Sequence, residues 1–115
     1  MFKFEQLDAW KMSLELYRRV ALAVRRLHGR DQRFLAEQIM RAALSVSANI
    51  AEGTGRAGIR ESKQLFNIAK ASVYEVVSIA HVLRLEALLE AEEFSEIYRL
   101  SDRIARMLSG LIAKR

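Results

Sequence analysis

The chain has 115 residues and is 51% hydrophobic, a length that suits one domain around one core and a composition that excludes intrinsic disorder. It has no cysteine, which excludes disulfides and thiolate metal sites and accords with a reducing, cytoplasmic setting. No stretch approaches the roughly 18 apolar residues of a membrane span, and MFKFEQLDAWK lacks the apolar core of a signal peptide, so no membrane partner is expected. The net charge of +5 is uneven: residues 1–70 hold 13 Lys and Arg against 7 Asp and Glu, residues 71–100 hold 2 against 6, and residues 101–115 hold 4 against 1. A basic front half attracts nucleic acid, although an Arg-rich solvated surface has the same composition.

Glycine falls only at 29, 53, 55, 58 and 110 and proline is absent, so helices run long and break near the glycines. The first predicted helix covers about residues 7–28, with Leu7, Trp10, Leu14, Tyr17, Ala21 and Val24 along one face. His28-Gly29 ends it, and Asp31 is placed to cap the second helix, residues 32–52, whose stripe is Leu35, Ile39, Ala43, Val46 and Ile50. Gly53-Thr54-Gly55-Arg56-Ala57-Gly58 reads as the one flexible loop, a turn that needs positive φ. The third helix covers about 59–89, with Leu65, Ile68, Ser72, Val76, Ile79 and Leu83 on one face. A shift in stripe phase near residue 90 separates it from the fourth, 92–113, with Phe94, Ile97, Ser101, Ile104, Leu108 and Leu111. No strand pattern competes. The expected fold is all-α, an antiparallel up-down four-helix bundle filling residues 1–115 as one domain.

Two helices carry a second apolar side. On the second, Met40, Leu44 and Ala51 lie roughly opposite Val46; on the third, Phe66, Val73, Val77 and Ala80 sit about 100° from the Ser72 stripe. Another subunit is the simplest cover for such faces, so a homo-oligomer is expected.

The search for catalytic chemistry finds no constellation. Di-metal bundles take Glu-x-x-His from two helices, but Arg25 and Ser78 stand three residues before His28 and His81, the two histidines. His28 reads as a helix-end residue and His81 as a partly buried or interface side chain. No Gly-x-Ser-x-Gly elbow surrounds a serine, and no histidine is near Ser47 in sequence. The glycine loop opens a helix, the geometry for an anion, but it lacks the Gly-Lys-Ser/Thr of a nucleotide-binding loop and no strand precedes it. The expectation is no enzyme, no catalytic residue, no metal and no cofactor, with a looser phosphate contact at Arg56 and Arg60. Glu86, Glu90 and Glu93 form an acidic ridge that reads as a solvated face. Arg18, Arg19, Arg25, Arg26, Arg30 and Arg33 cluster on the first helix and the turn after it, with Arg18, Arg25 and Arg26 on one side. Such a stripe suits an RNA or DNA backbone, bound in a salt-sensitive and sequence-tolerant way.

Helical projection of the second helix places Gln38, Ala42, Ser45, Asn49 and Glu52 in one small or polar strip beside the core stripe. Polar groups in such a seam need partners, since an unpaired buried one costs roughly 1–3 kcal/mol. Ser72 and Glu75 of the third helix are candidates, with Arg41 or Arg56 to neutralise Glu52. Ser45, Asn49, Glu52, Ser72 and Glu75 are therefore read as a polar seam that fixes register between helices or subunits, or that pins the glycine loop.

The block Arg41-Ala-Ala-Leu-Ser-Val-Ser-Ala-Asn-Ile-Ala-Glu-Gly53 resembles the signature of the bacterial four-helix-bundle family named after 23S rRNA intervening-sequence proteins. Phe4-x-x-Leu7-x-x-Trp10 is similar to its N-terminal motif, and Glu61, Ile68-Ala69, Ser72 and Glu75 match its third helix. Ser47 stands where that family usually has proline, Gly58 replaces a common serine, Ser62 a usual aromatic and Ala71 a usual glycine. The resemblance implies a short four-helix bundle that assembles as a homopentamer, with no established enzymatic activity. The accessory protein of diversity-generating retroelements, similar in fold, is a basic pentamer that binds nucleic acid and a reverse transcriptase. The expected function is accordingly non-enzymatic binding of RNA or DNA backbone through a basic surface, with a protein-interaction scaffold as the alternative.

Overall fold

The computed structural model describes residues 1–114. A short 3-10 turn, Lys3–Gln6, precedes four helices: α1 (Asp8–Val24), α2 (Arg30–Gly55), α3 (Ile59–Leu85) and α4 (Ala91–Ala113). No strand occurs among the described residues. α1 packs on α2 and α4, and α3 packs on α2 and α4, with no close backbone approach across either diagonal. The helices thus stand at the corners of a square in chain order. α2 and α3, 26 and 27 residues long, each reach about 40 Å at helical rise and run the length of the 44 × 23 × 22 Å bundle.

All four helices contribute fully buried side chains to one core, among them Leu16 and Val20, Ile39 and Ile50, Val73 and Leu83, and Ile97 and Leu108. The α2 stripe is as expected from the sequence, with Ile39, Ala43, Val46 and Ile50 buried and Leu35 half-buried. The α4 stripe is too, with Ile97, Ser101, Ile104 and Leu108 inside.

α1 departs from its predicted phase. The core takes Ala9, Ser13, Leu16, Val20, Ala23 and Val24, whereas Leu14 is 45% exposed and Trp10 and Tyr17 are half-buried on the flank. Both stripes have helical spacing; the inner one is, apart from Leu16, built of small and β-branched residues that let neighbouring helices come close. Ser13 meets its buried position by donating to the Trp10 carbonyl at 2.5 Å. On α3 half of the expected stripe is buried, Ser72, Val76 and Leu83, and the core face extends to one side of it. Phe66, Val73 and Ala80, expected on its second side, are core residues, and Ile68 of the expected stripe is 44% exposed.

The helix ends also shift. α2 starts at Arg30, with Gly29 at φ +85 as its N-cap residue in place of the expected Asp31. It continues through the stretch expected to be a flexible loop and stops at Gly55, and none of Gly53, Gly55 and Gly58 has positive φ. Gly53 is needed for space: a Cβ there would lie 2.7 Å from Phe66 Cε1 and 3.2 Å from the Ser62 carbonyl oxygen.

α3 ends at Leu85, four residues before its predicted limit at 89. Ala87 adopts φ 59. The Leu88 N–H donates to the Leu83 carbonyl at 2.8 Å and the Ala87 N–H to the Arg84 carbonyl at 3.0 Å. This is a Schellman stop with alanine at the left-handed position that glycine usually fills.

Replacing Ala87 with glycine relieves the left-handed strain, and Ala87→Gly is expected to raise stability by about 0.5–1 kcal/mol in urea unfolding. Gly53→Ala is expected to lower it by about 1–3 kcal/mol in the same measurement, because Phe66 must move.

Candidate functional site

Each of the four sides of the square has its own chemistry. On the α2–α3 side the predicted seam closes through three of its five residues. Ser45 Oγ and Ser72 Oγ lie 2.9 Å apart, and Asn49 Nδ2 donates to the Ser45 carbonyl at 2.8 Å and to Ser45 Oγ at 3.0 Å. With Ser45 Oγ accepting from Asn49, its hydroxyl proton is free to point at Ser72. Glu52 and Glu75 are exposed, and neither has a hydrogen bond or ion pair among the described residues. The expected neutralisation of Glu52 by Arg41 or Arg56 does not occur. Water around this exposed carboxylate screens it from the helix dipole. The terminal carbonyls of α2 are served differently: Ser62 Oγ, from the first turn of α3, donates to the Gly53 carbonyl at 2.6 Å, and Thr54 Oγ1 donates to Ile50 at 2.8 Å.

The α4–α1 side is laced with charge. Arg26 grips Glu93 with both terminal nitrogens, at 3.0 and 2.8 Å, and donates as well to the carbonyls of Ala23 and Leu88 at 2.9 and 3.2 Å. Glu93 also accepts the Glu90 N–H at 2.9 Å, at the start of α4. The hydrogen bonds from Arg26 hold the Glu93 carboxyl below its ordinary range, outweighing the opposite push of partial burial, and the same pairing raises the Arg26 guanidinium. Arg19 stands 3.9 Å from both Glu15 and Glu96. Two arginines of the predicted nucleic-acid stripe are therefore committed to carboxylates, Arg26 tightly and Arg19 loosely. The predicted acidic ridge loses Glu93 to this contact.

The remaining candidate arginines divide between two places. Arg18 and Arg25 are exposed on α1 and Arg30 is exposed in the first turn of α2, with Arg33 half-buried one turn on. Arg56 lies at the far end of α2, about 40 Å away along the helix, in a pocket of about 470 Å³ lined also by Lys3, Lys63 and Lys114. Among the described residues no carboxylate lines this pocket; Thr54 and Ser62 add hydroxyls. Arg60 is exposed in the first turn of α3 and is not part of the lining. Lys3, Lys63 and Lys114 escape sequence reasoning because they come from three separate segments. The local hint is the basic excess of residues 101–115.

On the α3–α4 side, Tyr74, Val77, Ser78 and His81 face Tyr98, Ser101, Asp102 and Ala105 across a groove of about 460 Å³. Serine, histidine and aspartate meet here, but no hydrogen bond joins them. His81 packs edge-on against Phe94 and Tyr98, with centroids at 4.9 and 6.4 Å, and Asp102 pairs with Arg106 at 3.0 Å. No group of three or more His, Cys, Asp or Glu able to hold a metal ion occurs among the described residues. No described helix is long and apolar enough to cross a membrane.

The sequence pattern of the family described as 23S rRNA-intervening sequence protein matches residues 5–110. A crystal structure of a protein with unknown function from the S23 ribosomal protein family, from Bacteroides thetaiotaomicron VPI-5482, is similar with a TM-score of 0.83. Identity is 24%, over 91% of this chain and 98% of the other. At that identity the likeness carries the fold. No curated protein matches.

The seam and the ion pair make separable expectations. Asn49→Ala removes two hydrogen bonds and leaves Ser45 Oγ with Ser72 alone; a loss of about 1 kcal/mol is expected in urea unfolding. Glu93→Gln weakens the α1–α4 contact by about 0.5–1 kcal/mol at neutral pH, a modest figure because the Arg26 side chain is 48% exposed. Since the folded state lowers the Glu93 pKa, its contribution is complete above the usual carboxylate range and is lost as pH falls through the folded value. The gap between the parent protein and Glu93→Gln should close on acidification, measured by unfolding at several pH values.

Proposed function

Because the chain belongs to the 23S rRNA-intervening sequence protein family, we propose that it is a cytoplasmic, non-enzymatic helical bundle that self-associates and binds the phosphate backbone of RNA or DNA. In this reading the helices run up and down in antiparallel order, as the short connections favour, and five copies assemble, the number the family resemblance suggests. The observation that supports backbone binding best is the end pocket, where Lys3, Arg56 and Lys114 converge and no acidic residue stands among the described lining residues. Lysines act on phosphate as point charges and the flanking hydroxyls add hydrogen bonds, so recognition would follow the backbone and not the bases. Phe4 and Trp10 nearby pack edge-to-face at 4.9 Å. Arg18, Arg25 and Arg30 supply a second basic area, and Arg60 extends the first. Assembly multiplies weak sites into useful avidity.

A second reading, a protein-interaction adaptor such as one that serves a reverse transcriptase, draws support from Phe34, Tyr74 and Leu85, which are 59%, 63% and 82% exposed.

Binding of a structured RNA and of duplex DNA, followed by fluorescence anisotropy across a salt series, decides between them. Backbone binding predicts that log affinity falls linearly with log salt. Arg56→Gln with Lys114→Gln should weaken binding several-fold and flatten the slope by about two, with the particle size in light scattering unchanged. No binding at about 50 mM salt, where phosphate contacts are strongest, overturns the nucleic-acid reading in favour of the adaptor.

A further inference from the structure

The basic pocket at the end of the bundle is shaped for more than a passing backbone. Its walls come from four separate segments: Lys3 and Leu7 ahead of α1, Arg56 to Gly58 where the chain turns after α2, Ile59 at the start of α3, and Leu111 and Lys114 at the end of α4. A recess walled from four directions receives the end of a ligand, whereas a strand running through needs a groove open at both ends. Its volume of about 470 Å³ falls within the range of small-molecule sites, about 300–1,000 Å³. The cations in it are uncommitted. Unlike Arg19 and Arg26, the side chains of Lys3, Arg56 and Lys114 have no ion pair or hydrogen bond among the described residues. α3 starts here with no side-chain cap, so the positive end of its dipole faces the same region. The Glu61 carboxylate leans on Gly58 at the rim, where an added Cβ would meet Oε1 at 2.8 Å, and the three cations outweigh it. The remaining wall is apolar, with Leu7 and Leu111 half-buried and Ile59 exposed.

We propose that this pocket takes a terminal phosphomonoester together with the nucleoside that carries it. The proposal rests on the nucleic-acid reading above and names the part of a strand that this end of the bundle recognises. Charge favours the terminus: a phosphomonoester carries about −1.5 to −2 at neutral pH, whereas an internal diester carries a single charge. Three converging cations gain correspondingly more from the monoester, and each of its charge-assisted hydrogen bonds is stronger than a neutral one. Shape favours it too, since a diester is tethered on both sides and a walled recess admits only one. The apolar wall covers sugar and base without a set of hydrogen bonds to read the base, so the end is bound whatever its sequence. A free nucleoside monophosphate offers the same chemistry, and the test separates the two sources.

Fluorescence anisotropy at about 50 mM salt compares one short, internally labelled single strand in three forms: with a 5′-phosphate, with a 3′-phosphate, and with hydroxyls at both ends. The expected result is about tenfold tighter binding of one phosphorylated form than of the hydroxyl form. Adenosine monophosphate should displace that strand at lower concentration than inorganic phosphate or adenosine does. Arg56→Gln with Lys114→Gln, and separately Lys3→Gln, should shrink the preference. Arg18→Gln with Arg25→Gln, in the other basic area, should weaken all three forms alike and leave the preference intact. All five residues are exposed, and far-UV circular dichroism and thermal unfolding verify that each variant folds. Equal binding of the three forms overturns end recognition and leaves the backbone reading standing. A preference that survives Arg56→Gln with Lys114→Gln overturns the pocket as its source, and inorganic phosphate that competes as well as adenosine monophosphate overturns the role of the nucleoside. If no strand binds, the backbone reading falls. The pocket then stands for the free nucleotide only if adenosine monophosphate raises the melting temperature of the parent protein and not of the Arg56→Gln, Lys114→Gln variant; with no such rise the pocket falls as well.

Discussion

The closeness of α2 and α3 is the constraint on which most of the structure rests. It is set where Gly53 meets Phe66, at a spacing that leaves no room for a Cβ. Alanines and serines continue the small-residue theme up the seam, with Ala42, Ala43 and Ala69 buried and Ser45 against Ser72. At that distance a serine on α3 reaches the carbonyl of Gly53, so the same approach that packs the helices also caps the first of them. It places Arg56 immediately beyond the cap, beside lysines from the far ends of the fold. The signature around Asn49 and Gly53 is thus an architectural device whose by-product is a basic end.

Arg26 plays the corresponding part at the other end of the bundle. Its guanidinium joins the end of α1, the connection between α3 and α4, and the start of α4 through Ala23, Leu88 and Glu93. Arg84 secures the same connection by donating to the Leu89 carbonyl at 2.9 Å. An arginine on a basic helix invites an electrostatic reading, yet its fork geometry makes it equally suited to pinning carbonyls and carboxylates of the protein itself. Sequence spacing puts Arg18, Arg25 and Arg26 on one side; the structure gives Arg26 to the fold and leaves the other two to solvent.

What was legible in the sequence followed from how many periodic patterns each segment offers. On α2 and α4 the expected stripe positions Ile39, Ala43, Val46, Ile50, Ile97, Ser101, Ile104 and Leu108 are buried, with Ala36, Ala42 and Leu100 buried beside them. α1 has two stripes, Trp10-Leu14-Tyr17 and Leu16-Val20-Ala23, and size pointed to the wrong one: tight corners of a square favour the smaller set. The end of α3 was hidden because its left-handed residue is Ala87, and alanine ordinarily signals helix. The seam was visible in part, since Ser45, Asn49 and Ser72 share spacing that brings them together, whereas Glu52 and Glu75 share the spacing but face water. The lysine pocket was out of reach, because residues 3, 63 and 114 become neighbours only once the whole path of the chain is known.

The square arrangement, with helices in chain order and no diagonal contact, bears on how the molecule comes into being. Three of its sides join helices that follow one another directly, so each can form as a local helix pair whose loop closure costs little. The remaining side, α4 on α1, brings together the most distant parts of the sequence. It is also the side held by the charged contacts of Arg19 and Arg26. On loop-closure grounds this side is expected to close last and to open first.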